Sequence, residues 1–291
     1  MEDERICLYL QAILKTVNSE NKRMLLVIIA VIAIIGGGYA SLMAYTGLNT
    51  PFSVVMSQSM QHDPERSQLG CIDTGDVVVV KNKSNARIES YVEGTSTGYK
   101  TFGDYGSVII YERNNFNPVI HRAIVYLEWN ENNSTWTSQE LAGYDGEWYC
   151  RYNDGKESNP ALLRGTLVFE NLTQSGKTVS VNLSNLEKRS GYLTLGDNPR
   201  TNLSFDQASG IIGHPISFDD IRSVPIAEIP WIGTTKILLN GNSANLSYVP
   251  NSLPSLAMCI VILITAVILV DTALQWRTMS KREDESDEEN P

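Results

Sequence analysis

Two hydroxyls stand two positions apart in Ser57-Gln58-Ser59-Met60, shortly after a long apolar run. A serine hydroxyl becomes a useful nucleophile only when a base within hydrogen-bond reach takes its proton. Histidine is the side chain whose ordinary pKa suits that task near neutral pH. The chain has three histidines, His62, His121 and His214. His121 lies in the alternating run Val119-Ile120-His121-Arg122, where a strand would hold its ring. His62 falls in a polar loop and is expected to be solvated, and His214 precedes a proline in another loop. An acidic cluster follows at Gly196-Asp197-Asn198. Serine, histidine and aspartate together are the parts of an activated nucleophile. Asp76, in Gly75-Asp76 before a β-branched run, reads instead as a turn residue.

The four cysteines offer less. No CxxC or Cys/His spacing of a zinc site occurs, so neither a metal nor a cofactor is expected. Cys71 and Cys150 alone lie between the two apolar blocks of the chain. A disulfide and two buried free thiols both fit them. Neither sits in a recognisable nucleophile box, which makes a cysteine transpeptidase a weak alternative.

The elements that must position these residues begin with the apolar blocks. Residues 24–45 are apolar and uncharged, long enough to cross a bilayer at roughly 20 residues per ~30 Å. The run is longer than the apolar part of a cleaved signal peptide and starts well inside the chain, so it reads as a permanent anchor. Gly36, Ala40 and Ala44 give it a face of small residues. Residues 251–275 form the second apolar block. Lys and Arg flank only the outer ends of the two blocks: Lys15, Lys22 and Arg23 before the first, Arg277, Lys281 and Arg282 after the second. That asymmetry puts both termini in the cytoplasm and residues 46–250 outside, a multi-pass protein of the cell membrane. Residues 1–23 are expected to be cytoplasmic, with an amphipathic helix over 1–20. It would lie on the membrane or pack on a partner. Residues 276–291 form an acidic tail, expected to be disordered. Seven Asn-x-Ser/Thr sequons, at Asn82, Asn132, Asn133, Asn171, Asn182, Asn202 and Asn245, all fall in 46–250.

Short β-branched or aromatic runs at 77–80, 107–112, 119–129, 166–170, 178–183 and 192–195 predict a mostly β external domain. Residues 127–190, rich in Asn, Gly, Trp and Tyr, carry no Ser/His/Asp constellation and read as an insertion. The net charge of −10 argues against a nucleic-acid partner.

Five segments, in order, resemble the boxes of the type I signal peptidases. Ser57-Gln58-Ser59-Met60 after an N-terminal span resembles the serine box, and Gly75-Asp76-Val77-Val78-Val79 the strand box. Pro118-Val119-Ile120-His121-Arg122 resembles the base-bearing box, Gly196-Asp197-Asn198 the acidic box, and Ile229-Pro230-Trp231-Ile232-Gly233 the closing element. The bacterial branch has lysine where this chain has His121. Histidine there, with a second span at the C-terminus, is the pattern of the archaeal and endoplasmic-reticulum branch. The resemblance implies a signal-peptidase-like β-fold. It makes Ser59 the nucleophile and His121 the general base, with Ser59 N–H and the Ser57 hydroxyl in the oxyanion hole. The family's second aspartate corresponds to Asp206, a few residues later than usual. Asp206 is expected to orient His121, with Asp197 in support.

The expected activity is thus removal of signal peptides from exported preproteins by a membrane-bound serine endopeptidase, with small residues preferred before the cut. Ser59 lies about 15 residues beyond the first span, so an extended chain reaches at most ~50 Å from the membrane. The partners implied are preproteins, the lipid bilayer and the protein-export channel. The alternative is a doubly anchored, non-enzymatic external β-domain that binds cell-surface polymer or a partner protein.

Overall fold

A computed structural model describes residues 19–113 and 116–288. The amphipathic segment expected over 1–20 therefore lies, except for its last two residues, outside the described residues. The chain divides into two units, one ending at Pro51 and one beginning at Phe52. The first contains helix α1 (Ser19–Thr46). Within it, 23 residues from Met24 to Thr46 are apolar enough to cross a membrane. Its apolar side chains are exposed all round, the pattern of a helix built for an apolar environment. The helix stops at Gly47, whose φ of 69° only glycine adopts easily.

The second unit ends in helix α5 (Ser252–Glu288), whose first 26 residues form the other candidate span. The acidic tail was expected to be irregular, yet the helix continues through it to Glu288. Its Lys, Arg and Glu are good helix formers. Helix (34%) exceeds strand (29%) over the chain, so the fold is mixed, not mostly β. The two long terminal helices, of 28 and 37 residues, supply most of that helix.

Between them the strands are β1 (Phe52–Val54), β2 (Val77–Lys81), β3 (Lys100–Thr101), β4 (Asp104–Tyr105), β5 (Val108–Arg113) and β6 (Phe116–Asn130). Then come β7 (Thr135–Thr137), β8 (Trp148–Tyr152), β9 (Gly155–Glu157), β10 (Thr166–Leu172), β11 (Lys177–Asn182), β12 (Gly191–Leu195) and β13 (Ile221–Ile229). Three short helices join them: α2 (Tyr91–Thr97), α3 (Asp206–Ser209) and α4 (Thr234–Leu239). The larger sheet runs β1-β2-β13-β5-β6-β12, with β7 paired to β6, and the smaller runs β11-β10-β8-β9.

β13 gives no clear sequence signal because Pro225 interrupts it. The strand survives because the register shifts between Pro225 and Ala227, and a bulge is where a strand accepts proline. α2 was also unexpected. It is only two turns long, capped by Ser90, which accepts from Glu93 N–H, and ended by Gly98 at φ 77°.

β6 is the strand that matters most. Leu193 faces Val125, but Thr194 faces Ala123, so Ile124 is an extra residue in β6. This bulge resets the alternation. Arg122 joins the face of Val125 and Leu127, while His121 and Ala123 share the opposite face. The two faces meet different cores. One packs Ala123 with Ile109, Tyr111 and Ile216. The other packs Val125 and Leu127 with Leu193, Phe205, Trp148 and Phe169.

The second core draws heavily on residues 127–190, the segment read as an insertion. Its aromatic and aliphatic side chains complete the core of the residues around it. Phe169 meets Phe205 edge-on at 6.0 Å, and Phe205 immediately precedes Asp206. Both rings are fully buried. Phe169→Ala should therefore cost about 3–5 kcal/mol. It should also loosen α3 at a distance. Denaturant unfolding in detergent and limited proteolysis around 205–210 would measure the two effects.

Candidate functional site

β6 delivers His121 buried, at 2% exposure. Its Nδ1–H donates to Asp206, with Oδ1 at 2.8 Å and Oδ2 at 2.7 Å. Asp206 Oδ2 also accepts from Tyr111 O–H at 2.8 Å and from Thr194 O–H at 2.6 Å. Tyr111 on β5 and Thr194 on β12 flank the histidine strand, so three adjacent strands fix one carboxylate. Burial and the Asp206 charge push the Tyr111 phenol well up, which keeps it a donor. With Nδ1 committed to Asp206, Nε2 is the free basic atom. It accepts a long hydrogen bond, 3.4 Å, from the Asn202 amide.

Ser59 is half-buried and Ser57 exposed, and their hydroxyls are 3.2 Å apart. The 196–198 loop lies along this segment. Asn198 N–H donates to Ser59 O at 3.0 Å, and its Nδ2–H donates to Gln58 O at 2.7 Å. Gly196 must be glycine here: a Cβ would lie 2.5 Å from both Ser59 O and the Asn202 amide. Asn202 and Ser59 O thus both crowd against Gly196, and the Asn202 amide also reaches His121 Nε2. Among the described residues no hydrogen bond joins Ser59 to His121. The Ser59 hydroxyl is turned to Ser57 instead.

The structure separates the two aspartates. Asp206 holds His121. Asp197, expected to support the same histidine, meets Arg122 and His62 instead. Arg122 donates Nε–H to Oδ1 at 2.9 Å and Nη2–H to Oδ2 at 2.6 Å. Its Nη1 donates to the carbonyls of Thr101, Tyr105 and Gly106 at 3.0–3.1 Å. Burial opposes the Asp197 charge, but Arg122 and His62 hold its carboxyl well below the usual range.

His62, expected to be solvated, is largely buried. Its Nε2–H donates to Asp197 Oδ2 at 3.1 Å, and its Nδ1 lies 3.3 Å from Cys71 Sγ. The loop looks polar only because its partner is 135 residues away. Burial works against the imidazolium, but the hydrogen bonds to Asp197 and Cys71 prevail and push His62 up to about 10. His214 stays apart, with Nδ1 2.9 Å from Pro215 O. Cys71 and Cys150 are free. Cys71 belongs to the His62 contact, whereas Cys150 lies in the core shared with β10. Asp76 is structural. Its Oδ2 accepts from Asp73 N–H and its Oδ1 from Trp231 N–H, which pins Trp231 at φ 64°. Burial pushes the Asp76 carboxyl up to about 8.

Sequence reasoning missed Tyr111, Thr194, Asn198 and Asn202. Thr194 had a signal, as the one polar residue between Leu193 and Leu195 in a buried strand. Tyr111 looks like ordinary core, and only the fold brings it to Asp206. Neither a model of a known protein family nor a curated protein matches this chain.

The His62–Asp197 contact gives a pH test. The folded pKa of His62 is raised, so its contribution to stability is complete below pH 6.5 and is lost as pH rises through about 10. His62→Gln should lower stability by about 1.5–3 kcal/mol at pH 6, with the deficit shrinking toward pH 10. Unfolding of both proteins in detergent across that range would show the converging curves.

Proposed function

We propose that this chain is a membrane-bound serine endopeptidase that removes signal peptides from exported preproteins, with a signal-peptidase-like β-fold outside the membrane. The observation that carries the reading is the buried His121–Asp206 pair, whose Nε2 meets the Asn202 amide; that amide and Ser59 O both lie against Gly196. The order of the five sequence boxes and the two apolar terminal helices support it.

In this mechanism Ser59 turns its hydroxyl from Ser57 toward Nε2 as substrate enters and the Asn202 amide yields that place. Catalytic hydrogen bonds are often completed only in the substrate complex. Ser59 Oγ attacks the scissile carbonyl while His121 takes its proton, and Asp206 stabilises the imidazolium. The Ser59 N–H and the Ser57 hydroxyl stabilise the oxyanion. His121 then protonates the leaving amine, and water clears the acyl-enzyme. A substrate held by its own apolar helix would present its following residues to this site.

Ser59→Ala and His121→Ala should each abolish conversion of a preprotein to its mature form, and together should be no worse than either alone. His121→Lys should also fail, because a lysine needs a desolvating pocket to be neutral at pH 7. Asp206→Asn should lower kcat while the fold persists. Wild-type cleavage by Ser59→Ala would end the proposal and favour the anchored binding module.

The same reading sets both termini in the cytoplasm. Protease added to intact cells or spheroplasts should cut within 127–190 and spare both tails. Protection of that region would reverse the assignment.

A further inference from the structure

Lys177 is the first residue of β11, where buried and exposed positions alternate through Asn182. It occupies the buried phase with Val179 and Val181, and only 8% of it is exposed. A lysine there needs partners for three N–H donors. It finds them in one place. Nζ donates to the carbonyls of Gly196 at 3.0 Å, Asp197 at 3.2 Å and Asn198 at 2.8 Å. The Asp197 carboxylate is engaged by Arg122 and His62, so the ammonium serves the backbone of this loop. Three successive carbonyls converge on one nitrogen only if the loop curls around it.

That loop is the surface on which the Ser59 peptide rests. Asn198 donates to Ser59 O and Gln58 O. Asn198 Oδ1 accepts from Arg200 N–H at 2.8 Å and Thr201 N–H at 3.2 Å, which starts the turn leading to Asn202. A chain of direct contacts therefore runs from Lys177 through Asn198 to the backbone of Ser59. Burial lowers Lys177 to about 8 against the pull of Asp197, so the charge is held there at a cost.

We propose that Lys177, contributed by the 127–190 segment, is a positioning residue for the nucleophile: its ammonium templates the 196–198 loop that sets the Ser59 peptide. The inference rests on the reading of Ser59 as nucleophile. It gives 127–190 a part in the site without any contact to substrate. A displacement near 1 Å can cost on the order of 10²-fold in rate, and the loop has no other cation with hydrogen bonds to all three carbonyls among the described residues.

The test uses the full chain in detergent micelles with a preprotein substrate. Lys177→Met keeps the aliphatic stem and removes the donors. It should lower kcat about 10–100-fold, leave KM within about twofold, and speed amide exchange in peptides covering 58–60 and 197–199. Lys177→Gln restores two of the three N–H donors and should recover part of kcat. If Lys177→Met does not fold, the Gln variant carries the same comparison against wild type. Wild-type kcat and wild-type exchange in a folded variant would overturn the proposal. So would a kcat loss that matches the fraction unfolded and disappears on cooling, which marks a merely structural lysine. Absence of cleavage by the wild-type protein would instead refute the peptidase reading, and the exchange comparison would still decide whether Lys177 orders the Ser59 segment.

Discussion

A guanidinium with no exposed surface constrains everything near it. Arg122 is fully buried and makes two bonds to Asp197 and others to the carbonyls of residues 101–106. Burying such a charge is tolerable only when its donors are met, and removing one partner typically costs about 3–5 kcal/mol. The 101–106 turn and the 196–198 loop are therefore tied to one side chain. His62 and Cys71 attach the segment after Ser59 to the same carboxylate. The backbone around Ser59 is thus tied, through the 196–198 loop, to the Arg122–Asp197 pair.

Neighbouring residues on β6 divide two tasks. The bulge at Ile124 sets Arg122 on the face of the larger core and His121 on the other face, where Tyr111 and Thr194 complete the shell of Asp206. The scaffold charge and the candidate base are adjacent in sequence and separated by the thickness of a strand. Each has its own aspartate. The two carboxylates therefore do not compete for one histidine, and their environments differ accordingly.

Much of this was legible in advance. Both apolar helices, six of the thirteen strands among the described residues, and His121 as the strand-held histidine followed from local pattern. Asp206 entered through a family resemblance, and the structure places it in contact with His121. Long-range partners were not legible. His62 reads as a loop residue until Asp197 is brought to it, and Asp197 reads as a partner of His121 until Arg122 claims it. Residues 127–190 carry no recognisable box, but a segment without chemistry can still supply core, as Phe169 and Trp148 do. Lys177 did leave a trace: a lysine in the buried phase of an alternating strand.

The sequence separations within the site have a consequence for biogenesis. His121 and Asp206 are 85 residues apart, Gln58 and Asn198 are 140 apart, and Asp76 and Trp231 are 155 apart. Contacts that close such long loops form slowly and late. A chain emerging from the ribosome has made its Ser59 segment long before the residues that support it. The partners that hold the Ser59 segment and His121 are therefore delivered only with the last third of the chain.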